Sequence, residues 1–156
     1  MAFSVRPARA SDSYALRALM PRLAEFDIPP SRFSEHLWRG DEKLLIAYLA
    51  GDAPDSFCIL AENDDLETLG LALVSMRPEL LSGAPSAHLE AIAVSEEAEG
   101  QGVGAALLRA CEDEAATRGA QSMTLHVFTR NERARAFYKK FGYDEELIRA
   151  TKPLAR

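Results

Sequence analysis

The sequence predicts a single α/β domain, spanning residues 1–156, in which helices flank a mixed, mostly antiparallel β-sheet. Two apolar segments, residues 57–62 and 70–76, flank the polar tripeptide Asn63-Asp64-Asp65 and predict an antiparallel hairpin. Further along the chain, strand and helix patterns alternate, which indicates a β-α-β crossover. The predicted order of elements is β-αα-ββ-β-α-β-α-β.

The first third of the chain contains one predicted strand and two predicted helical regions. Residues 3–8 alternate between apolar and polar side chains, as in a short strand. An N-cap at residues 11–13 begins a helix, in which Pro21 predicts a kink or a restart. A second helical region covers residues 31–50, and we expect it to break near Gly40-Asp41.

The second half of the chain alternates strands and helices after a loop at residues 77–86. The predicted elements are a strand at 87–94, a helix at 102–118, a strand at 123–128, a helix at 131–140 and a strand at 146–153. Helical spacing predicts the buried side of the first of these helices. That side carries Gly104, Leu107, Leu108, Cys111 and Ala115.

The composition excludes several classes of protein. An apolar fraction of 47% and a charged fraction of 27% are typical of an ordinary soluble globular chain. The formal net charge of −6 disfavours a broad nucleic-acid surface; it suits a cationic amine substrate, although solubility accounts for it equally well. The chain starts without the apolar core of a signal peptide, and no apolar run reaches the ~18 residues of a membrane span. We expect a cytoplasmic protein that contacts neither nucleic acid nor membrane.

The cysteines and histidines show no metal-binding pattern. The two cysteines, Cys58 and Cys111, form no CxxC motif and lie in apolar-periodic runs, which favours small buried side chains. The three histidines, His36, His88 and His126, lack zinc-like spacing. We therefore expect no metal site.

A glycine-rich turn is the most informative local feature. The apolar segment 90–94 leads into Glu99-Gly-Gln-Gly-Val-Gly104, and a helical pattern follows. The first N–H groups of a helix have no intrahelical partner, and the helix dipole adds partial positive charge there. Glycines remove the Cβ atoms that would keep a ligand away from those groups. The segment therefore predicts a cradle for a phosphate or a pyrophosphate.

Two common nucleotide-binding motifs fit this turn poorly. A Walker motif needs Lys and Ser or Thr after the glycines, whereas Gly104 is followed by Ala105-Ala106. A dinucleotide-binding turn belongs to the first β-α unit of a doubly wound sheet, whereas this turn lies two-thirds of the way along a short chain. A site for a nucleoside triphosphate or a dinucleotide is disfavoured.

Taken in order, the motifs of the second half resemble those of the GNAT superfamily of N-acetyltransferases, and the resemblance in element order extends over the whole chain. The matching pieces are Ala93-Val94, Gly102-Val-Gly104, the helix end Arg118-Gly119, Leu125-His-Val127, Asn131 and Ala136-Phe-Tyr-Lys-Lys-Phe-Gly-Tyr143. The resemblance implies that the strand at 87–94 splays from the strand at 123–128 and that acetyl-CoA lies in the cleft between them.

The resemblance also assigns residues to the coenzyme. The backbone of residues 92–94 would pair with the pantetheine arm, the N–H of Val94 would polarise the thioester carbonyl, and residues 101–105 would hold the pyrophosphate. The implied coenzyme-binding residues are Ile92, Ala93, Val94, Gly100, Gln101, Gly102, Val103, Gly104, Ala105, Asn131, Ala134, Phe137 and Tyr138.

Tyr138 matches the general acid of the family. Asn131, Ala134 and Tyr138 are spaced i, i+3 and i+7, so they share a helix face. The structural alternatives are a core aromatic for Tyr138 and a helix N-cap for Asn131.

Two residues are candidates for the general base, Glu90 first and His88 second. Strand alternation would place His88, Glu90, Ile92 and Val94 on one face of the sheet. A carboxylate in an apolar strand is costly unless it is paired or functional, whereas histidine has the better-matched intrinsic pKa. The structural alternatives are an edge salt bridge for Glu90 and an exposed strand start for His88.

Further residues are candidates for acceptor recognition. His126 lies on the facing strand, although a lone strand histidine is more often structural. Phe33, His36 and Trp38 lie in the second helical region, which often covers the acceptor site in this superfamily. A packed amphipathic helix accounts for Trp38 equally well.

Glu99 departs from the family pattern, which has Arg or Gln at that position. Because its carboxylate lies beside Glu96 and Glu97 and close to a bound anion, we predict weaker coenzyme affinity than an arginine would give.

The function implied by the resemblance is N-acyl transfer from acetyl-CoA to an amine, which could belong to a polyamine, an antibiotic, an amino acid or a protein. The alternative is a catalytically idle acyl-CoA-binding sensor of the same fold. Glu99 slightly favours the sensor, and Tyr138, Asn131 and Glu90 favour the enzyme. A final strand at 146–153 could pair across subunits in a homodimer, although the sequence leaves the oligomeric state open.

Overall fold

The computed structural model describes residues 2–155, which fold around one five-stranded sheet. The strands lie side by side in chain order; the first four pair antiparallel, and the fifth runs parallel to the fourth. The strands are β1 (Phe3–Pro7), β2 (Ser56–Asn63), β3 (Thr68–Pro78), β4 (Pro85–Val94) and β5 (Met123–Leu125). The predicted α/β class, mixed sheet and hairpin are confirmed.

Helices cover both faces of the sheet. Within residues 2–155, the α-helices are α1 (Ser13–Leu19), α2 (Arg39–Leu49), α3 (Val103–Thr117) and α4 (Glu132–Lys140). Short 3₁₀ helices cover Ala10–Asp12, Met20–Ala24, Ser34–Leu37 and Glu96–Ala98. Over the same residues, none of the helices combines the length and apolar character needed to cross a membrane.

Each face of the sheet has its own apolar core. One core lies under α3 and α4 and includes Leu107, Leu108, Cys111 and Ala115, which confirms the side of α3 predicted to be buried. The other core lies under α1 and α2 and includes Cys58. Burial of each large apolar side chain contributes roughly 1.5–3 kcal/mol, so the two cores hold both helical layers on the sheet.

The prediction for the first helix is confirmed, and that for the second is partly wrong. α1 ends at Leu19, and a 3₁₀ helix with Pro21 in its first turn continues the chain. The second helical region breaks at Trp38, not near Gly40-Asp41, which lies inside the first turn of α2. An acidic side chain near a helix N-terminus is stabilised by the helix dipole, so Asp41 favours helix there.

The last part of the chain differs from the prediction. β5 ends at Leu125 rather than at residue 128, and residues 146–153 form no strand. Leu147 and Ile148 lie in this segment, and their side chains are 62% and 91% exposed. A strand is stable only where a neighbour satisfies its backbone groups, and none of the described residues does so here. The strand through which two subunits could have paired is therefore not formed.

Candidate active site

β4 and β5 diverge and open a cleft between them. Their parallel pairing covers three register positions and ends with Leu89 opposite Leu125, whereas β4 continues to Val94. The predicted splay is therefore confirmed, with β5 at the edge of the sheet. The N–H of Ser95 donates to Leu69 on β3 at 2.8 Å, so by strand alternation the backbone groups of Val94 face away from β3, toward the cleft.

A β-bulge in β4 separates residues that were predicted to share one face. Leu73 of β3 pairs with Ala91 and Val74 pairs with Leu89, which leaves Glu90 as the extra residue. Leu89 packs in the core under α3 and α4, and Ile92 and Val94 pack against it, but Ala91 and Ala93 lie in the other core.

The prediction that His88 and Glu90 share a face with Ile92 and Val94 is therefore wrong. The bulge inverts the alternation after Glu90, so His88 and Glu90 lie on the side of α1 and α2. Ile92 and Val94 lie on the side of α3 and α4.

His88 is buried at the start of the cleft, with 5% of its surface exposed. Its Nδ1 lies 2.8 Å from Oγ1 of Thr124, and its Nε2 lies 3.5 Å from Oε1 of Glu90. The ring of His126 packs edge-on against it, with the ring centres 4.7 Å apart. Burial, followed by the charges of Arg77 and His126, lowers the pKa of His88 to about 4. The imidazole is therefore neutral at physiological pH.

Glu90 lies within reach of several polar side chains. Besides His88, Ser75 Oγ donates to its Oε2 at 3.4 Å, and Arg77 Nη2 lies 3.6 Å from its Oε1. The bulge directs this half-buried carboxylate toward α2, where Asp41 lies close enough for the two charges to interact. Burial, with the charge of Glu90, raises the pKa of Asp41 to about 7.

Asp41 was not among the residues predicted from the sequence. The pattern indicated only a helix start there, and its proximity to Glu90 depends on how α2 packs on the sheet. Glu90 and Asp41 together place two interacting carboxyl groups on the side of the sheet that α1 and α2 cover.

The glycine turn opens α3 at the end of β4. Gly100 and Gly102 have φ values of 75° and 83°, in the left-handed region that side chains rarely adopt, and Gly102 is the N-cap of α3. At Gly104 a Cβ would lie 3.5 Å from the ring of Phe137, so α4 packs closely against the start of α3. The first N–H groups of α3 thus lie at the end of β4, beside the cleft.

Glu99 is paired with two arginines. Its Oε1 accepts a hydrogen bond from Nη2 of Arg22, and its Oε2 lies 3.2 Å from Nη1 of Arg133. These contacts hold the pKa of the Glu99 carboxyl below its usual range. Arg22 also donates from Nε to the carbonyl oxygen of Val94 at 2.9 Å. The sequence carried no signal for either pairing, because both join segments far apart in the chain.

α4 supplies Asn131 and Tyr138. Asn131 is the N-cap of α4, and its side-chain oxygen accepts a hydrogen bond from the N–H of Ala134 at 3.2 Å. The N-cap alternative is therefore the contact observed for Asn131. Tyr138 packs against the core under α3, between the rings of Phe137 and Tyr143 at 5.4 and 5.9 Å. Burial raises the pKa of Tyr138 to about 12.

The remaining candidates are the aromatic residues that the sequence suggested for acceptor recognition. His126 is exposed and follows β5 instead of lying within a strand. Trp38 packs against the core under α1 and α2, as its structural alternative describes. Phe33 is 72% exposed, and its N–H donates to Nδ1 of His36 at 3.1 Å. Among residues 2–155 no group of His, Cys, Asp and Glu side chains is arranged to hold a metal ion.

The splayed parallel pair, the bulge before it and the glycine turn that opens α3 together border one cleft at the end of β4. A family model described as the acetyltransferase (GNAT) family matches residues 17–143, and the chain belongs to that family. Members of this family use acetyl-CoA as the acyl donor and an amine as the acceptor.

Individual proteins extend the comparison. Over 143 residues the chain is 29% identical to the uncharacterized N-acetyltransferase YhfO of Bacillus subtilis (strain 168), with 92% of this chain and 91% of that protein covered. A structure of a proposed acetyl transferase from Pyrococcus furiosus superposes with a TM-score of 0.79 at 22% identity, covering 98% of this chain and all of that one. The structure of AAC(6')-Iy, in complex with the bisubstrate analogue CoA-S-monomethyl-acetylneamine, has a TM-score of 0.72 at 21% identity and covers 99% of this chain and all of that one.

Proposed function

We propose that this chain transfers an acetyl group from acetyl-CoA to a primary amine by direct attack in a ternary complex. The observation that carries the proposal is the position of the cleft. It separates a carboxylate and imidazole cluster on one face of the sheet from the glycine turn and Tyr138 on the other. An amine and a thioester that enter from opposite faces would meet between β4 and β5.

The residues beside the cleft fit the coenzyme. The backbone of Ile92 faces away from β3 and is available to an extended pantetheine arm, and Val94 supplies an N–H for the thioester carbonyl. The carbonyl oxygen of Val94 already accepts a hydrogen bond from Nε of Arg22. The N–H groups at the start of α3, which the turn from Gly100 to Ala105 exposes, suit the pyrophosphate. Bound acetyl-CoA supplies the activated acyl group.

Glu90 is the proposed acceptor of a proton from the substrate ammonium, which leaves the neutral amine that attacks the thioester carbonyl. The bulge directs Glu90 toward the face that α1 and α2 cover, and His88 Nε2 lies 3.5 Å from its carboxylate. His88 is a weak base because its pKa is about 4, so its proposed role is to orient Glu90. Asp41, whose pKa is about 7, is a second carboxyl group that faces the same space.

Tyr138 is the proposed acid that protonates the departing thiolate. A general acid must hold its proton until the leaving group needs it, and a phenol with a pKa of about 12 is fully protonated at neutral pH. Its helix packs against the start of α3 through Phe137, which brings α4 close to the end of β4.

The proposed acceptor is a cationic amine. Glu90 and Asp41 place negative charge on the acceptor side, and the net charge of −6 favours approach of a cation. The analogue bound by AAC(6')-Iy joins CoA to an acetylated amine, which is the kind of ternary arrangement that we propose.

The test is acetyl transfer across a panel of amines. The purified chain is incubated with acetyl-CoA and, separately, with polyamines, aminoglycosides, amino acids and peptides, and both free thiol and acetylated product are recorded. We expect thiol release that requires an amine and matches the acetylated product one to one. Coenzyme binding without release for every amine would instead favour the sensor.

The pH dependence of the rate tests the base. In Glu90→Gln the acidic limb of the pH–rate profile is expected to disappear, whereas Glu146→Gln, at an exposed position in the segment after α4, should keep it. If Glu90→Gln keeps the limb, Glu90 is not the base, and Asp41→Asn is the variant to compare next.

A further inference from the structure

The side chain of Arg22 is mostly buried and is held at the end of β4 by hydrogen bonds, which is unusual for a charged side chain. Its side chain is 18% exposed. Nε donates to the carbonyl oxygen of Val94, while the two terminal nitrogens contact Glu25 and Glu99. The 3₁₀ helix Met20–Ala24, with Pro21 in its first turn, brings this arginine to the strand. Its guanidinium is therefore held in one place and still has N–H donors to offer.

Glu99 joins Arg22 to a second arginine on α4. Its other carboxylate oxygen lies 3.2 Å from Nη1 of Arg133, whose side chain is 75% exposed. Nearby, the ring of Phe26 packs against Phe128 with centres 5.5 Å apart, so the segment that carries Arg22 is also held against the chain leading to α4. The two arginines thus contact different oxygens of the Glu99 carboxylate.

This group of three charged side chains lies beside the phosphate-binding turn. Glu99 directly precedes Gly100, which begins the turn into α3. Arg22 contacts Val94, the last residue of β4. Arg22 also pairs with Glu25, so these three side chains and Glu25 together carry no net charge. What they offer an anion is the N–H donors of the two guanidinium groups that no carboxylate takes. The carboxylates of Glu96 and Glu97 are exposed in the preceding 3₁₀ helix, and Glu25 is half exposed.

We infer that Arg22 and Arg133 bind the diphosphate of the coenzyme and that Glu99 is a positioning residue that holds both guanidinium groups beside the turn. The inference rests on the proposed function for the identity of the ligand. The arginines supply, from other segments, the side-chain charge that Glu99 does not supply from the turn itself.

If Glu99 holds the two arginines, its replacement should change CoA affinity in the direction opposite to that expected from charge repulsion alone. A free carboxylate beside an anion weakens binding, so its removal should tighten binding, as the sequence alone led us to expect. A carboxylate that holds two arginines strengthens binding indirectly, so its removal should weaken it. Replacing Glu99 separates the two cases.

The test is calorimetric titration of CoA into the unsubstituted protein, Glu99→Gln and Glu97→Gln. The two variants lose the same charge two positions apart, but Glu97 is exposed and has no arginine among its described contacts. We expect Glu99→Gln to weaken CoA binding about three- to tenfold and Glu97→Gln to leave it unchanged or slightly tighter. Unchanged or tighter binding by Glu99→Gln overturns the inference.

Three further arms identify the chemical group. Pantetheine, which lacks phosphate, should bind the unsubstituted protein and Glu99→Gln equally, and 3′-dephospho-CoA should show the same loss as CoA. A loss that extends to pantetheine, or that disappears with dephospho-CoA, overturns the assignment to the diphosphate. Arg133→Gln, at a largely exposed position with little risk to folding, should also weaken CoA, whereas Arg109→Gln on the exposed side of α3 should not.

A double substitution shows whether Glu99 acts through Arg22. If it does, the losses in Glu99→Gln and Arg22→Gln are not additive, and Glu99→Gln/Arg22→Gln binds CoA about as well as Arg22→Gln alone. Additive losses overturn the positioning role. An unsubstituted protein that fails to bind CoA overturns the proposed function and this inference together, whereas failure of Glu99→Gln alone to weaken binding overturns only the inference.

Discussion

Nδ1 of His88 lies 2.8 Å from Oγ1 of Thr124, and this contact joins β4 to β5 directly before the two strands diverge. The residues are register partners, and one further pair separates them from the cleft. The contact fixes the imidazole ring, so its other nitrogen points toward the carboxylate of Glu90 at 3.5 Å. A buried neutral histidine therefore lies between the parallel strand pair and the carboxylate of Glu90.

His88 is expected to make stability depend on pH. The pKa of His88 is about 4 in the folded protein, whereas an ordinary histidine, as in the unfolded chain, has a pKa of 6.5. Between these two pH values the unfolded chain therefore binds more protons than the folded protein does. The free energy of unfolding therefore falls as pH falls from 6.5 to about 4, by up to about 3 kcal/mol from this group. Urea denaturation at several pH values should show a smaller fall in His88→Gln. His36→Gln, at an exposed histidine, should keep the original dependence, and an equal slope in all three proteins would contradict this account.

Asp41 is expected to give the free energy of unfolding the opposite dependence on pH. Its pKa of about 7 lies above the ordinary 3.8, so the folded protein binds more protons between these values and loses stability as pH rises through them. Asp41→Asn should therefore be more stable than the unsubstituted protein at about pH 8, by about 1–3 kcal/mol, and gain less at about pH 4. Asp52→Asn, in the exposed loop after α2, is the control. A loss of stability in Asp41→Asn at high pH would mean that the interaction with the helix N-terminus dominates.

Tyr138→Phe is expected to separate chemistry from binding. Loss of the phenol proton should reduce kcat about 10²-fold, since general acid catalysis contributes about 10²–10⁴-fold, while the Kd for CoA changes less than about twofold. Steady-state rates with an active amine and calorimetry with CoA measure the two effects. Tyr14→Phe, at a side chain 90% exposed, is the matched control and should behave as the unsubstituted protein does. Unchanged kcat in Tyr138→Phe would remove Tyr138 from the acid role.

Substitution by alanine should have opposite effects on stability at Gly70 and at Gly40. A Cβ at Gly70 would lie 2.8 Å from the carbonyl oxygen of Ala93 and 3.0 Å from Cδ1 of Leu107, so β3, β4 or α3 must shift. We expect Gly70→Ala to destabilise the protein by about 1–3 kcal/mol. At Gly40, in α2, no atom lies within 4 Å of the added Cβ, and alanine should stabilise the helix by about 0.5–1 kcal/mol. Thermal and urea denaturation compare the two, and equal effects would contradict the close approach at Gly70.

The elements that could be predicted are those whose signal is local. The buried side of α3 follows from apolar spacing, and the hairpin of β2 and β3 follows from two apolar segments around a polar turn. The break at Pro21 follows from the geometry of proline. Glu90 and His88 could be named as polar residues in an apolar strand, and the structure brings them within 3.5 Å of one another.

The predictions that are wrong depended on neighbours in space. Residues 146–153 have a strand-like composition, but a strand requires a partner for its backbone, and the sequence does not specify one. The bulge at Glu90 inverts the faces of β4 because β3 pairs around it, which alternation along one strand cannot indicate. Asp41 comes close to Glu90, and Arg22 and Arg133 come close to Glu99, only because separate elements meet there.

The amino-acid sequence by itself determined the order of the elements as far as α4, the membership in the GNAT family and the position of the glycine turn, because periodicity and turn chemistry act over a few residues. Only the tertiary structure decided the electrostatic role of Glu99. Read along the chain, it is a third carboxylate beside Glu96 and Glu97. In the folded protein it lies between Arg22 and Arg133, and a charge interaction depends on distance in space and not on separation along the chain.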